Sequence, residues 1–412
     1  MLLLDHARRI SRPSISSTLT PSKTLSLIQP RRPRVIRLLH TKTDTRPFNV
    51  LFFGRDEFSC TVLKQLHHAK DIWQSLTLVT HPDEYVGRRR SQLSVSPLKS
   101  LGDELGLTVA TIPHHRPDFR TWNPPEPFTV PSGDQLPSNH VLITASFGRI
   151  LRKSLLNTFH PHRRLNVHPS LLPAYRGAAP IQHALLNGEK ETGVSVISML
   201  EMKEGIDTGD IWGSRKMMIP EDATFQSLRD SLAVEGGDLL VSVLRDMRFG
   251  KSSLLSPDSE PPIAPLIAPS QSFISFTAQT AQSILRHYRA ISHHKPLTIY
   301  TKTGRSVQLH DISEASTSAS ASPDGRTQEQ RWRLPQIPGA AKYVPYEDAV
   351  LVRCKDMELV KVKQLKTQDR NLLGAKAWWN GILPEWREGE RRDYVMFLSE
   401  AELRQPDDVT EK

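Results

Sequence analysis

The chain has almost no cysteine: Cys60 and Cys354 are the only two among its 412 residues. Two thiols so far apart make neither a disulfide framework nor a metal-ligand spacing, and they suit a reducing compartment. Long apolar runs are also missing. No stretch of about 18 apolar residues occurs, so no segment is fitted to cross a bilayer as a helix, and no membrane partner is expected. Hydrophobic residues make up 38% and charged residues 24%, which suits a soluble globular chain long enough for two domains. Acidic residues are scarce at the start. Residues 1–45 hold nine Lys/Arg (Arg8, Arg9, Arg12, Lys23, Arg31, Arg32, Arg34, Arg37, Lys42) against Asp5 and Asp44, which leaves about +3 of the formal +10 for the remainder. Global basicity therefore says little about nucleic acid, and local clusters must carry that case.

The same 45 residues are rich in Ser, Thr and Arg and open on Met1-Leu2-Leu3-Leu4. This is the composition of a mitochondrial transit peptide, which predicts the mitochondrial matrix; a basic tail is the plainer alternative. Either way residues 1–45 are set apart from the fold. Folded sequence begins at Asn49-Val50-Leu51-Phe52-Phe53-Gly54, a buried strand broken at Gly54 and followed by a helical stretch, Phe58 to His68. Further apolar runs at Leu76–Thr80, Val109–Ile112, Val141–Ala145 and Val194–Leu200 read as strands. Helical stretches lie between them, one with Pro180 at its start and Gly188 just past its end. Alternating strands and helices predict an α/β domain, Rossmann-like, with a mostly parallel sheet and helices on both faces. In such sheets the working residues gather at the carboxyl ends of the strands.

The expected domains are a catalytic domain over 46–250, a Ser/Pro-rich linker over 251–272, a second domain over 273–382 and a tail over 383–412. Short strand-like runs at Leu297–Tyr300, Ser306–Leu309, Ala349–Cys354 and Leu359–Leu365 predict a smaller C-terminal β-barrel, OB-like. Glu314 to Gln328 is low-complexity and reads as an insertion.

Chemistry concentrates in Leu165-Asn166-Val167-His168-Pro169. Residues two apart on a strand share a face, so Asn166 and His168 point together while Val167 turns away. Pro169 has no ladder donor to give, so the strand ends there and His168 stands at its mouth. A rigid loop, Ser170-Leu171-Leu172-Pro173 through Arg176-Gly177-Ala178-Ala179-Pro180-Ile181, follows. Farther on, Glu204-Gly205-Ile206-Asp207-Thr208-Gly209-Asp210 sets Asp207 between glycines, within plausible reach of His168; an ordinary turn aspartate is the bland alternative.

Taken together, Asn166 to Pro173 and Asp207 to Gly209 resemble the Asn-x-His-Pro/Gly-Ser-Leu-Leu-Pro and Asp-x-Gly motifs of the folate-dependent formyltransferase superfamily. The closest resemblance is to its members that formylate methionyl-tRNA. It is carried by Arg176-Gly177-Ala178-Ala179-Pro180-Ile181-Gln182, by Phe53-Gly54 with Phe58, by the basic loop before Ser96-Pro97-Leu98-Lys99, and by Gly374-Ala375-Lys376-Ala377-Trp378-Trp379-Asn380-Gly381. It spans roughly 48–382, with a departure at Arg55-Asp56-Glu57 where many relatives carry Thr-Pro.

The resemblance implies formyl transfer from 10-formyltetrahydrofolate, a co-substrate, to the α-amine of initiator methionyl-tRNA, by a monomer that needs no metal. It implies Asn166, His168 and Asp207 as catalytic residues and places folate contacts on Ser170, Leu171, Leu172 and Pro173. The walls of the pterin pocket fall on the Ala145–Gly148 turn and Lys203–Ile206. Arg88, Arg89 and Arg90 are placed on a tRNA-probing loop, since consecutive arginines bind phosphates and splayed bases. Asp207 either orients His168 or passes protons through a water. His160 and His162 sit in a polar run better explained as solvated loop than as a zinc site. Three rivals stay open: a glycinamide ribonucleotide formyltransferase, a 10-formyltetrahydrofolate hydrolase, and a catalytically silent RNA-binding protein on this fold.

Overall fold

The computed structural model describes residues 36–38, 45–131, 133–250, 253–255, 262–315 and 332–404. The first domain begins with β1 (Ile36–Leu38), β2 (Phe48–Gly54), α1 (Glu57–His68), β3 (Trp73–Thr80), β4 (Glu84–Val86), β5 (Gln92–Ser94), α2 (Pro97–Glu104) and β6 (Thr108–Thr111). It continues with β7 (His140–Ala145), α3 (Lys153–Thr158), β8 (Arg164–His168), α4 (Pro180–Asn187), β9 (Glu191–Ser198), β10 (Ile211–Met218), α5 (Phe225–Arg248) and β11 (Ser253–Leu255).

Strand β2 lies between β3 and β7, parallel to both. Its near-continuous apolar sequence follows from burial on both faces. Phe48, Val50 and Phe52 enter one apolar cluster, while Leu51 and Phe53 enter the other. The same alternation runs through β7 and β8, where Leu165 and Val167 pack toward α5 and Asn166 and His168 turn to the opposite face. Helix α5 approaches closely because Gly236 lacks a side chain: a Cβ there would lie 2.9 Å from a Val167 methyl. Asp56 caps α1 by accepting from the Ser59 amide at 3.2 Å, so the chain turns from β2 into the helix without an unpaired terminus.

The sheet order is β1-β11-β10-β9-β8-β7-β2-β3-β6. The run from β6 to β8 is parallel, as the sequence implies, and β9, β10, β11 and β1 extend it antiparallel. Beyond Ile211 and Trp212, half-buried and exposed positions alternate along β10, the pattern of an antiparallel strand with one solvated face.

In the second domain α6 (Ala281–Ile291) leads into β12 (Leu297–Thr301), β13 (Ser306–Glu314), β14 (Ala340–Val344), β15 (Ala349–Arg353) and β16 (Leu359–Thr367). These five and the strand Tyr394–Leu398 close an antiparallel barrel, because Tyr394–Leu398 pairs with both β14 and β12. The four strands expected here are present. The low-complexity insertion lies almost entirely outside the described residues.

Three expected boundaries move. Most of the basic leader lies outside the described residues, yet Ile36–Leu38 pairs with β11 and so joins the sheet edge before residue 45. The segment 251–272 is not a free linker, since Ser253–Leu255 is a strand and Ala264 exchanges backbone hydrogen bonds with Arg176 and Ala179. The supposed tail after 382 supplies the barrel's closing strand, with Val395 and Phe397 fully buried. Among the described residues no helix is long and apolar enough to cross a membrane.

Candidate active site

Strand β8 ends at His168, and the next turns are fastened by local hydrogen bonds. The Ser170 amide donates to the His168 carbonyl at 2.9 Å, and the Ser170 hydroxyl donates to the Ala174 carbonyl at 2.6 Å. This brings the Tyr175 carbonyl to 3.0 Å from His168 Nε2. Tyr175 takes a left-handed φ of 61°, and its own amide donates to the Pro262 carbonyl.

Asp207 arrives from the loop after β9, also with a left-handed φ, 54°, following Gly205 at 107°. Aspartate tolerates that conformation better than most residues. Its Oδ1 accepts from Asn166 Nδ2 at 3.2 Å, and its Oδ2 accepts from the Gly177 amide at 3.1 Å. The same Oδ2 lies 3.6 Å from His168 Nδ1, an ion-pair distance. Thr144, the partner of Asn166 in the β7–β8 register, donates its hydroxyl to Asn166 Oδ1 at 2.7 Å. That contact fixes the amide orientation: the oxygen is committed to Thr144, and the NH2 faces Asp207 and the cavity.

The cavity has a volume of about 540 Å³. Asn166, His168 and Asp207 lie in its wall, so the three residues singled out in the sequence do meet. The Ser146–Leu151 turn and Met199, Leu200 and Ile206 contribute to its lining. The expected pterin walls at Ala145–Gly148 and Lys203–Ile206 thus reach the cavity through Ser146, Phe147, Gly148, Gly205 and Ile206. Asp56, Phe58, Ile181, Phe225 and Arg229 also line it. Burial pushes the Asp56 carboxyl above its usual range, and the hydrogen bond from the Ser146 hydroxyl partly opposes that shift.

The loop Ser170–Pro173 is not brought into the cavity. Ser170 is buried against the chain, and Leu172 packs with Ile197 and Ile211 while its amide donates to Ser195 Oγ at 3.1 Å. Its motif is a structural brace that sets the Tyr175 carbonyl behind His168. None of these four residues is among those that line the cavity. Arg88, Arg89 and Arg90 form the turn of the two-stranded hairpin β4–β5, which is separate from the main sheet. Arg89 and Arg90 are exposed, as are Tyr85 and Leu93 on the flanking strands. Sequence reasoning passed over Thr144 and Asp56. The signal for Thr144 was a lone hydroxyl in the otherwise apolar run Val141 to Ala145; for Asp56 it was the departure at Arg55-Asp56-Glu57.

Residues 48–244 match the formyl transferase family and residues 266–383 match the formyl transferase C-terminal domain. Methionyl-tRNA formyltransferase of Listeria innocua is 37% identical over 212 residues, which cover 51% of this chain and 62% of that protein. The mitochondrial methionyl-tRNA formyltransferase of Homo sapiens is 32% identical over 349 residues, covering 82% of this chain and 79% of that one. Among solved structures, HypX of Aquifex aeolicus superposes with a TM-score of 0.51 at 15% identity, over 84% of this chain and 50% of that one, a likeness of fold alone. With both domains present in order and a relative matched along about four fifths of each chain, this protein belongs to the methionyl-tRNA formyltransferase family.

Proposed function

We propose that the chain transfers the formyl group of 10-formyltetrahydrofolate to the α-amine of initiator methionyl-tRNA. In this reading it works as a monomer in the mitochondrial matrix. The observation that carries the reading is the convergence on Asp207: one carboxylate meets Asn166, His168 and the Gly177 amide in the wall of one cavity.

Attack of the amine on the formyl carbon places negative charge on the former carbonyl oxygen. Asn166 is built to receive it. Thr144 holds its oxygen and Asp207 takes one amide hydrogen, which leaves the second to donate to the developing oxyanion. His168 lies between the Tyr175 carbonyl, 3.0 Å from Nε2, and the Asp207 carboxylate, 3.6 Å from Nδ1. Taking the proton that the attacking amine loses, its imidazole becomes positive beside the oxyanion and then gives that proton to the departing folate nitrogen. Asp207 orients both side chains. The substrate amine is itself the nucleophile, so no protein nucleophile enters. The Ser146–Leu151 side takes the pterin, and the hairpin arginines take tRNA phosphates. The mitochondrial setting is supported by likeness to the mitochondrial methionyl-tRNA formyltransferases of Homo sapiens and Rattus norvegicus.

A formylation assay offering methionyl-tRNA, glycinamide ribonucleotide or water as acceptor tests the reading. Formylated methionyl-tRNA as the dominant product is expected; preferential formylation of glycinamide ribonucleotide, or folate hydrolysis alone, overturns it.

A further inference from the structure

The turn Ser146–Leu151 lines the cavity, yet its own backbone does little to hold it. Ser146 and Gly148 both take left-handed φ values, 50° and 74°, and that conformation is unfavourable for a residue with a Cβ such as Ser146. Among the described residues no backbone–backbone hydrogen bond reaches residues 147–150. Side chains supply the tethers instead. The Ser146 hydroxyl donates to the Asp56 carboxylate, Arg149 donates to the Pro113 carbonyl at 3.4 Å, and His81 Nε2 lies 2.9 Å from the Phe147 carbonyl. Only the last of these is buried at both ends, with His81 8% and Phe147 4% exposed. A carbonyl can only accept, so Nε2 carries the proton. Burial, opposed in part by this hydrogen bond, lowers the His81 pKa, so the ring is neutral at neutral pH and serves as a fixed donor. The Phe147 ring packs edge-on against His81 and Phe53, with centroids 5.3 and 5.0 Å away. His81 itself stands just past the end of β3, where the chain leaves for the hairpin β4–β5.

We infer that His81 is a positioning residue for the formyl donor: by holding the Phe147 carbonyl it fixes the shape of the Ser146–Leu151 turn before the pterin arrives. The inference rests on the function proposed above, which assigns that turn to the pterin, and adds the side chain that keeps it in place. His81 does not line the cavity, so it acts on the donor only through the turn. A turn left without this tether must be ordered when the folate binds, and that ordering costs affinity. Contacts between turn and pterin persist from the bound complex to the transition state. Their weakening therefore falls on KM for the donor and spares kcat. Because His81 is also the root of the arginine hairpin, the rival role is to orient the hairpin for tRNA, and the two roles load different substrates.

Two variants one methylene apart test it. His81→Gln puts an amide N–H about where Nε2 stands, whereas His81→Asn carries the same amide on a stem too short to reach Phe147. His81→Asn is expected to raise KM for 10-formyltetrahydrofolate by about tenfold, the effect of one buried hydrogen bond lost, with kcat and KM for methionyl-tRNA unchanged. His81→Gln is expected to stay within about twofold of the unmodified protein in all three constants, since the donor is restored. Assays run well below each variant's thermal midpoint, and calorimetric titration with tetrahydrofolate alone gives the same comparison as a dissociation constant. An unchanged folate KM in His81→Asn overturns the inference, as do equal rises in both variants, which would point to general loss of packing. A rise in KM for methionyl-tRNA with the folate KM unchanged overturns it too and assigns His81 to the hairpin. If the unmodified protein does not use 10-formyltetrahydrofolate at all, the functional proposal has failed first; activity in that control isolates the role of His81.

Discussion

The two oxygens of Asp207 meet Asn166, the Gly177 amide and His168, and this convergence ties the site together. The Gly177 amide and Asn166 take well-formed hydrogen bonds, while His168 stands slightly farther away at 3.6 Å. A carboxylate held this way keeps its neighbours oriented without competing for the substrate oxygen, because it can only accept. Removing the Asn166 amide should therefore leave the fold and cost the oxyanion its donor. Asn166→Ala is expected to lower kcat by about 100- to 1,000-fold with little change in substrate KM. His168→Ala should abolish turnover while the thermal midpoint changes little, and near-normal rates in either variant would discard the mechanism. The pairing of Asn166 with His168 was legible from a spacing of two ahead of Pro169. At Ser170–Pro173 a Leu-Leu-Pro run reads equally as ligand contact or as packing, and only the structure shows Leu172 packed with Ile197 and Ile211. The reach of Asp207 was legible only as a possibility, since its left-handed backbone and the fold of its loop decide it.

At the scale of elements, the hairpin β4–β5 forms a sheet of its own. It pairs with no strand of the main sheet, and its anchor at the base is the ion pair of Lys99 with Asp83 at 2.6 Å. Exposed Tyr85 and Leu93 beside the arginine turn offer an aromatic face and an apolar edge next to positive charge, a combination that suits unstacked bases and phosphates. Replacing Arg88, Arg89 and Arg90 together by Ala should raise KM for methionyl-tRNA by about tenfold or more at low salt. It should also flatten the salt dependence and leave folate binding intact. Equal losses toward both substrates would remove the assignment. Here the sequence was informative because three consecutive arginines stand out. It was less so for α5, whose twenty-four residues are interrupted by Gly236-Gly237, which costs helix propensity and conceals the element. Only the packed neighbour, Val167, explains why glycine stands at 236.

On the scale of the whole molecule, the strand Tyr394–Leu398 closes what earlier segments leave open. The barrel was legible from four short apolar runs, but β14, Ala340-Ala341-Lys342-Tyr343-Val344, carries little β-branched sequence. Tyr394–Leu398 sits after a polar stretch that reads as tail. Phe397 is fully buried and meets Trp378 and Phe276 at ring-centroid distances of 6.0 and 6.1 Å. Phe397→Ala should cost about 3–5 kcal/mol in denaturant unfolding, where a loose tail would cost nothing measurable. The seam between the domains supplies a second test. His293, just past α6, stacks on Phe225 at the start of α5 with centroids 3.9 Å apart and planes 7° from parallel. Burial, with His294 and Arg229 adding positive charge nearby, lowers the His293 pKa to about 4. Its folded value lies below the unfolded one, so between about pH 6.5 and 4 the unfolded chain binds the extra proton. Stability from this stack is therefore complete above that window and is lost as pH falls through it. His287 and His310, also depressed by burial, act in the same direction. The isolating comparison is His293→Phe, which keeps an aromatic ring against Phe225 but cannot take the proton. Calorimetric midpoints at pH 7.5 and 5.0 should differ less in the variant than in the unmodified protein. Identical differences would mean that the proton on His293 has no part in holding the two domains together.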